Sequence, residues 1–432
     1  MKFLFFILFL AFISCQCFSQ VVVQIKGHSD TIYSLHPNET QNIDELIPLE
    51  KFFKEKKVIG MGEATHGTKE FFNMKAKMFK FLATYCGYKV FSIEATYGGT
   101  LKINDYVLYG KGDVLSAMKG MEFWTWDTEE LRDLIEWIKQ YNTQKAENDK
   151  LKFYGFDCQS FKGASNSLTD YVTAVDSVNI NIFKKGISIL NDSTASYFSN
   201  IDKVGENSKI DLEINQSITF LDTWFTENEH LYIEKSGKQK YLIAKYNIEN
   251  LKQTLLLFQI SMTQNPNPNI RDSCMAQNIK WISELENTKV FVWAHNGHIA
   301  KVPYLRTMKI PVYKSMGEYL YGFFDMDYYN IGFVFKEGNF QAIKDNKLQE
   351  FHVDANRKHK LADDFFKTNF SSFFVDLRNS SNPIYKRFQK MYEYGAVFLT
   401  KPKHLSGIRP KDNFDAIIFV NITQRAIPVI KK

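Results

Sequence analysis

Glu63 and His66 lie three residues apart in Gly62-Glu63-Ala64-Thr65-His66-Gly67, directly after the apolar run Val58-Ile59-Gly60-Met61. Downstream, Lys289-Val290-Phe291-Val292-Trp293-Ala294 runs into His295-Asn296-Gly297-His298, and Tyr88-Lys89-Val90-Phe91-Ser92-Ile93 ends at Glu94. Each run reads as a buried strand finishing on a titratable side chain, which is where open α/β sheets place their chemistry. A neutral imidazole near its unperturbed pKa takes a proton from water at physiological pH. A neighbouring carboxylate fixes its tautomer and stabilises the imidazolium that forms. His66 is the candidate base, with Glu63 or Glu94 as its carboxylate. An ester oxygen that gathers charge needs donors, and His295, His298, Lys75 or backbone N–H groups near Thr68 are candidates.

Other readings use the same residues. Glu63, His66, Glu94, His295 and His298 would also suit a divalent metal, giving a metal-dependent hydrolase that chelation would silence. An exported protein that binds a ligand in this cleft without turning it over is a third reading. Structural roles compete as well: Glu63 and His66 as a capping pair at a strand-to-helix turn, Glu94 as the buried partner of Lys75, His298 as a loop residue facing solvent. The serines offer no Gly-x-Ser-x-Gly elbow, which argues against a serine esterase. His28, His36, His230, His352, His359 and His404 have no chemical neighbourhood in the sequence.

The elements that must position these groups follow from periodicity. Phe71, Met74, Met78, Phe81 and Tyr85 recur at helical spacing, with Thr68 placed to cap the helix. Leu131, Leu134, Ile135 and Ile138 predict another helix, opened by Asp127 with Glu130 three residues on. A third strand runs through Leu151–Phe156 to Asp157, and strand and helix signals alternate as in βα units around a parallel sheet. Over 165–268 the signals turn polar and helical, closing in the loop Gln264-Asn265-Pro266-Asn267-Pro268. The α/β pattern then resumes with a helix across Cys274, Met275, Ile279 and Ile282, in which Arg271 and Asp272 read as a structural start signal. Further strands are expected at Ile331–Phe335, Ser372–Leu377, Ala396–Leu399 and Ala416–Val420. The expected fold is α/β, a mainly parallel sheet flanked by helices, with core parts at 20–164 and 269–432 and a helical insertion or cap domain at 165–268.

The chain has 432 residues, 44% hydrophobic and 24% charged, the balance of a globular protein. Lys2 precedes the apolar run Phe3–Ile13, followed by small or polar residues to Ser19. The run is too short for a spanning helix, which needs roughly 20 residues, and reads as a signal peptide over 1–19 with Gln20 as first mature residue. The expected location is therefore periplasmic or extracellular, with lipidation at Cys15 as the weaker alternative and no transmembrane segment in the mature chain. Dropping Lys2 from the 54 basic and 48 acidic residues leaves 53 − 48 = +5, spread without long basic runs, which excludes the electrostatic footprint of a nucleic-acid binder. Cys86, Cys158 and Cys274 are an odd, widely spaced set that does not suit a disulfide framework.

Gly62-Glu63-Ala64-Thr65-His66-Gly67-Thr68-Lys69-Glu70-Phe71, then Phe91-Ser92-Ile93-Glu94-Ala95, then Trp293-Ala294-His295-Asn296-Gly297-His298 resembles the erythromycin esterase family in order and spacing. Tyr154-Gly155-Phe156-Asp157-Cys158-Gln159 and Arg271-Asp272-Ser273-Cys274-Met275-Ala276 support it, and the likeness runs from about residue 45 to 425. The resemblance implies a hydrolase that opens macrolide lactones with an imidazole-activated water and no metal or other cofactor. It implies His66 as general base, with Glu63, Glu94 and His295 completing the catalytic set. His298, Lys75, Glu70 and Asp157 are expected to bind substrate, Asp157 having orientation of neighbours or a loop cap as its other reading. Family members often carry Arg where this chain has Lys75, a residue less suited to a bidentate grip on a carboxylate. A small-molecule ester or lactone is the partner expected.

Overall fold

Val58–Met61 and Lys289–Trp293, the two runs that lead into the histidine turns, lie side by side as parallel neighbours, Val58 against Val290 and Met61 against Trp293. The computed structural model that shows this describes residues 20–191, 209–261, 269–302, 314–356, 360–399 and 405–429. The expected signal peptide at 1–19 and the Pro- and Asn-rich loop at 264–268 lie outside the described residues.

The strands are β1 (Gln20–Ile25), β2 (His28–Ser34), β3 (Val58–Met61), β4 (Tyr88–Thr96), β5 (Lys152–Asp157), β6 (Lys289–Trp293), β7 (Tyr328–Lys344), β8 (Lys347–Val353), β9 (Ser372–Asp376), β10 (Gln389–Tyr392), β11 (Leu405–Ile408) and β12 (Ala416–Thr423). Ten of them form one sheet in the order β1-β2-β9-β12-β7-β3-β6-β4-β5, with β8 on the far part of β7, while β10 and β11 pair separately. From β12 to β5 every neighbouring pair is parallel. The chain therefore builds an α/β fold with a mainly parallel sheet, and β3, β6 and β4 direct their C-terminal ends to one rim.

Both faces of the sheet are covered, as a parallel sheet requires. On one face Phe91, Phe291, Trp293 and Ile331 pack with the helix Lys69–Tyr85 and with Leu131, Leu134, Ile135 and Ile138 of the helix Glu129–Asn142. On the other, Val90, Val290, Val292 and Val334 meet Met275, Ile279 and Ile282 of the helix Asn269–Glu286. The alternation of faces along β6, and along β4 from Val90 to Ile93 beyond the irregularity at Tyr88/Val90, is the period-two pleat. Between β5 and β6 the described residues are mainly helical, and Phe161, Leu168, Val172, Leu221, Phe225, Leu251 and their neighbours close an apolar cluster of their own.

Several local expectations change. Thr68 does occupy the N-cap position of the helix Lys69–Tyr85, but its hydroxyl bonds Thr65 Oγ1 at 2.5 Å instead of capping. The second helix is capped by Thr128, whose hydroxyl accepts from Leu131 N, not by Asp127. Glu130 is instead buried and accepts from Ile427 N. Ala396–Leu399 is no strand; Val397 makes only an isolated bridge to Ile343. β7 instead runs on to Lys344 and reverses through Asp345 and Asn346, both at positive φ, into β8. Two consecutive positive φ values make the primed hairpin turn that matches strand twist.

Candidate active site

The rim at the ends of β3, β6 and β4 gathers the sequence-expected groups. Glu63 follows β3 and is fully buried. One oxygen accepts from His66 Nδ1 at 2.7 Å, and the other receives Lys75 Nζ at 2.6 Å and Trp293 Nε1 at 2.9 Å. With the His66 proton held at Nδ1 by Glu63, its Nε2 presents a lone pair. Lys75 arrives from the helix Lys69–Tyr85, with Nζ 4.4 Å from the centre of the Trp293 ring. Burial brings its ammonium down to about 8, while the charge of Glu63 pulls the other way. Lys75 thus partners Glu63, not Glu94. Gly62 is required for close approach: a Cβ there would fall 2.1 Å from Asn296 Oδ1, which holds Phe333 N.

His295 caps the short helix Asn296–Ile299, its Nδ1 accepting from Gly297 N. The neutral ring therefore carries its proton on Nε2, an atom that is buried and has no hydrogen-bond partner among the described residues. Burial first, then the positive charges of His66 and His298, hold its pKa well below the usual imidazole range. The ring lies 5.0 Å from that of His66, centre to centre. A buried N–H without an acceptor is costly and calls for a functional explanation. The ring that carries this one is a direct neighbour of the candidate base.

Glu94 ends the inner part of β4. Its Oε2 accepts from His295 N at 3.0 Å and its Oε1 from Arg271 Nη2 at 2.7 Å. Burial would raise its pKa, but His298, Arg271 and His66 together hold it well below the usual carboxylate range. His298 comes to the same cluster, Nδ1 at 2.5 Å from Asp272 Oδ1 and Nε2 at 3.3 Å from Glu94 Oε1. Burial opposes its imidazolium, yet Asp272 and Glu94 outweigh that and push the pKa up to about 9. His298 is a site residue and not a solvent-facing loop side chain.

Two expected substrate-binding residues stand elsewhere. Asp157 is fully buried and grips Arg271 through both oxygens, at 3.1 Å to Nε and 2.7 Å to Nη2, so it anchors the guanidinium from behind. Glu70 accepts from Gln424 N at 2.7 Å and from Asn38, fastening the C-terminal segment to the helix. Conversely, Arg271 and Asp272 are more than a helix start. They supply the charges that set Glu94 and His298. A clue was present: Arg-Asp at the head of a helix returning to the strand that bears two histidines.

Among the described residues, the only group of three or more His, Cys, Asp or Glu whose ligand atoms all lie within 4.8 Å is His36, Glu39 and Glu45. Lys77 already donates to Glu45 there. The cleft carboxylates are committed to Lys75, Trp293 and Arg271, so a metal held by Glu63 and Glu94 would have to displace those partners. Cys86, Cys158 and Cys274 are buried free thiols, and no helix among the described residues is long and apolar enough to cross a membrane.

A parallel sheet whose rim carries a carboxylate-held imidazole opposite a second, donating imidazole defines an α/β protein equipped for acid–base chemistry. The chain belongs to the erythromycin esterase family, whose model matches residues 83–423. The matched span begins after Glu63 and His66, so their placement rests on the geometry above. Family membership implies a hydrolase acting on esters. Among curated relatives, a putative hydrolase, YbfO, of Bacillus subtilis (strain 168) is 26% identical over 366 residues, covering 78% of this chain and 79% of its own. The erythromycin esterase type II of Escherichia coli is 24% identical over 330 residues, covering 71% and 75%. In fold, a Bacillus cereus protein of known crystal structure superposes with a TM-score of 0.77 at 22% identity, over 93% of this chain and 97% of that one. A mutant of the erythromycin esterase EreC in its open conformation gives 0.66 at 14% identity, over 92% and 99%.

Proposed function

We propose that this chain hydrolyses a carboxylic ester, a macrolactone or a related compound, with water activated on His66 and without a metal ion. The observation that carries the reading is the pairing of two imidazoles in opposite roles. His66 is held by Glu63 with a free lone pair, and His295 offers a buried, unpartnered N–H about one ester group away. Water loses its proton to His66 Nε2 as it adds to the acyl carbon, and His295 Nε2–H donates to the oxygen that gains charge. A preorganised donor in a water-poor site is the kind of contact that stabilises such an oxyanion.

Incubation of the protein from Gln20 with erythromycin, followed by mass spectrometry, is expected to give the adduct of one water, at a rate that EDTA leaves unchanged. Loss of turnover in EDTA would transfer the case to a metallohydrolase, and tight binding without the adduct to a non-catalytic ligand-binding protein. Residues 1–19 are proposed to direct export. N-terminal sequencing of the protein recovered outside the cytoplasm is expected to start near Gln20, and an intact Met1 there would overturn that proposal.

A further inference from the structure

His298 has one ring nitrogen too few for its contacts. Nδ1 is committed to Asp272 Oδ1 at 2.5 Å. Nε2 lies 3.1 Å from Arg271 Nη1, which can only donate, and 3.3 Å from Glu94 Oε1, which as a carboxylate oxygen can only accept. A single ring nitrogen cannot serve both partners at once. With a proton on Nε2 the ring bonds Glu94, and without it the lone pair takes the Arg271 N–H. Both contacts are in place before any rearrangement, because Arg271 is pinned by Asp157 through Nε and Nη2 and shares Glu94 Oε1 through Nη2. The His298 side chain keeps 23% of its surface exposed and Arg271 keeps 20%, whereas Glu94 keeps 5%, so an incoming group can reach the imidazole and the guanidinium but not the carboxylate between them.

We propose that His298 is the acid that protonates the departing alcohol, and that Arg271 is the positioning residue that accepts the exchange by taking the Nε2 lone pair once the proton has left. This rests on the ester-hydrolase reading of the same site. Water adds to the acyl carbon while one of its protons passes to His66. The bond from the acyl carbon to the alcohol oxygen then breaks, its electron pair staying on that oxygen, which takes the proton from His298 Nε2. The new carboxylic acid and His66 each release a proton to solvent, and His298 takes one back. The sum is ester plus water giving carboxylate, alcohol and one proton. Asp272 on Nδ1 and Glu94 beside Nε2 both favour the imidazolium and raise its pKa, so the surroundings favour a loaded acid in the resting protein.

The charged and titratable groups around His298 are Asp272 and Arg271 from the helix Asn269–Glu286, Glu94 from β4 and His295 from its own turn, with Asp157 and His66 beyond. Removing the neighbouring positive charge and removing the neighbouring negative one must shift the ring in opposite directions, each by about one pH unit. The test uses the full mature chain and erythromycin. The alkaline limb of kcat/KM against pH is expected to move up in Arg271→Met and down in Asp272→Asn, and the His298 ring signals in 15N-histidine NMR are expected to follow. Arg271→Lys keeps the charge but lacks the fork, so it should hold the limb in place while lowering kcat; it also serves if Arg271→Met fails to fold. A ring titration that shifts while the limb stays fixed would overturn the acid role. A ring indifferent to both substitutions would overturn the exchange itself. Absence of erythromycin turnover in the wild type counts against the esterase reading, and the NMR titration then decides the exchange on its own.

Discussion

His66→Ala is expected to lower kcat/KM on a hydrolysable ester by about 10²- to 10⁴-fold, the range for a positioned general base, with little change in the unfolding midpoint. The separation of the two readouts follows from the hydrogen bonds. Glu63 has two independent anchors besides His66, namely Lys75 Nζ and Trp293 Nε1, so removing the imidazole leaves the buried carboxylate held. Besides the His295 ring, 5.0 Å away, His66 meets Trp126 edge-on at 6.3 Å between ring centres, and a small void there is cheap beside a lost charge pair. Added imidazole should restore part of the rate by filling the space. A variant that keeps wild-type kcat/KM would remove His66 from the chemistry, and one that unfolds would make its role structural.

Lys75→Met is expected to destabilise the protein by about 3–5 kcal/mol, the cost of stranding one member of a fully buried ion pair. Both side chains have no exposed surface. Solvent therefore cannot screen the uncompensated carboxylate, and the remaining donors, Trp293 Nε1 and the His66 N–H, bring no full charge at neutral imidazole. Glu63→Gln combined with Lys75→Met should recover much of the loss, since a neutral pair of similar size carries no stranded charge. Urea denaturation of the single and double variants checks this. Equal destabilisation by both would show that shape, not charge, governs the position.

The positions of Glu63, His66, Glu94, His295 and His298 were legible because strand signals are local: an apolar run of four to eight residues followed by a turn marks where a parallel strand ends. That those ends meet was less legible. It depends on β6 lying between β3 and β4, a long-range pairing that periodicity does not carry. The same limit hid Arg271 and Asp272. Read along the chain they resemble a helix start, and only the docking of the helix Asn269–Glu286 beside β4 and β5 makes them partners of Glu94, Asp157 and His298. Lys75 was assigned a glutamate partner in kind but the wrong one, since a side chain on a helix face can reach either of two neighbouring strand ends. The turns at Lys26-Gly27 and Asp345-Asn346 did carry a readable signal in Gly27, Asp345 and Asn346, residue types that tolerate positive φ, and the hairpins they close were nevertheless missed.

The placement of β6 also fixes an order of assembly. β4 can pair with β5 as soon as residue 157 is made, but among the described residues β3 has strand neighbours only in β6 and β7. As the ribosome delivers the chain, the strand that bears Glu63 and His66 has nothing beside it until the whole helical segment has been synthesised. Trp293, which completes the shell of Glu63, is 230 residues downstream of it, and His295 follows Glu94 by 201. The helical segment, with its separate apolar cluster, needs no such wait. The rim that gathers these side chains is thus a product of late closure, built when the central strand enters a gap between two strands translated long before it.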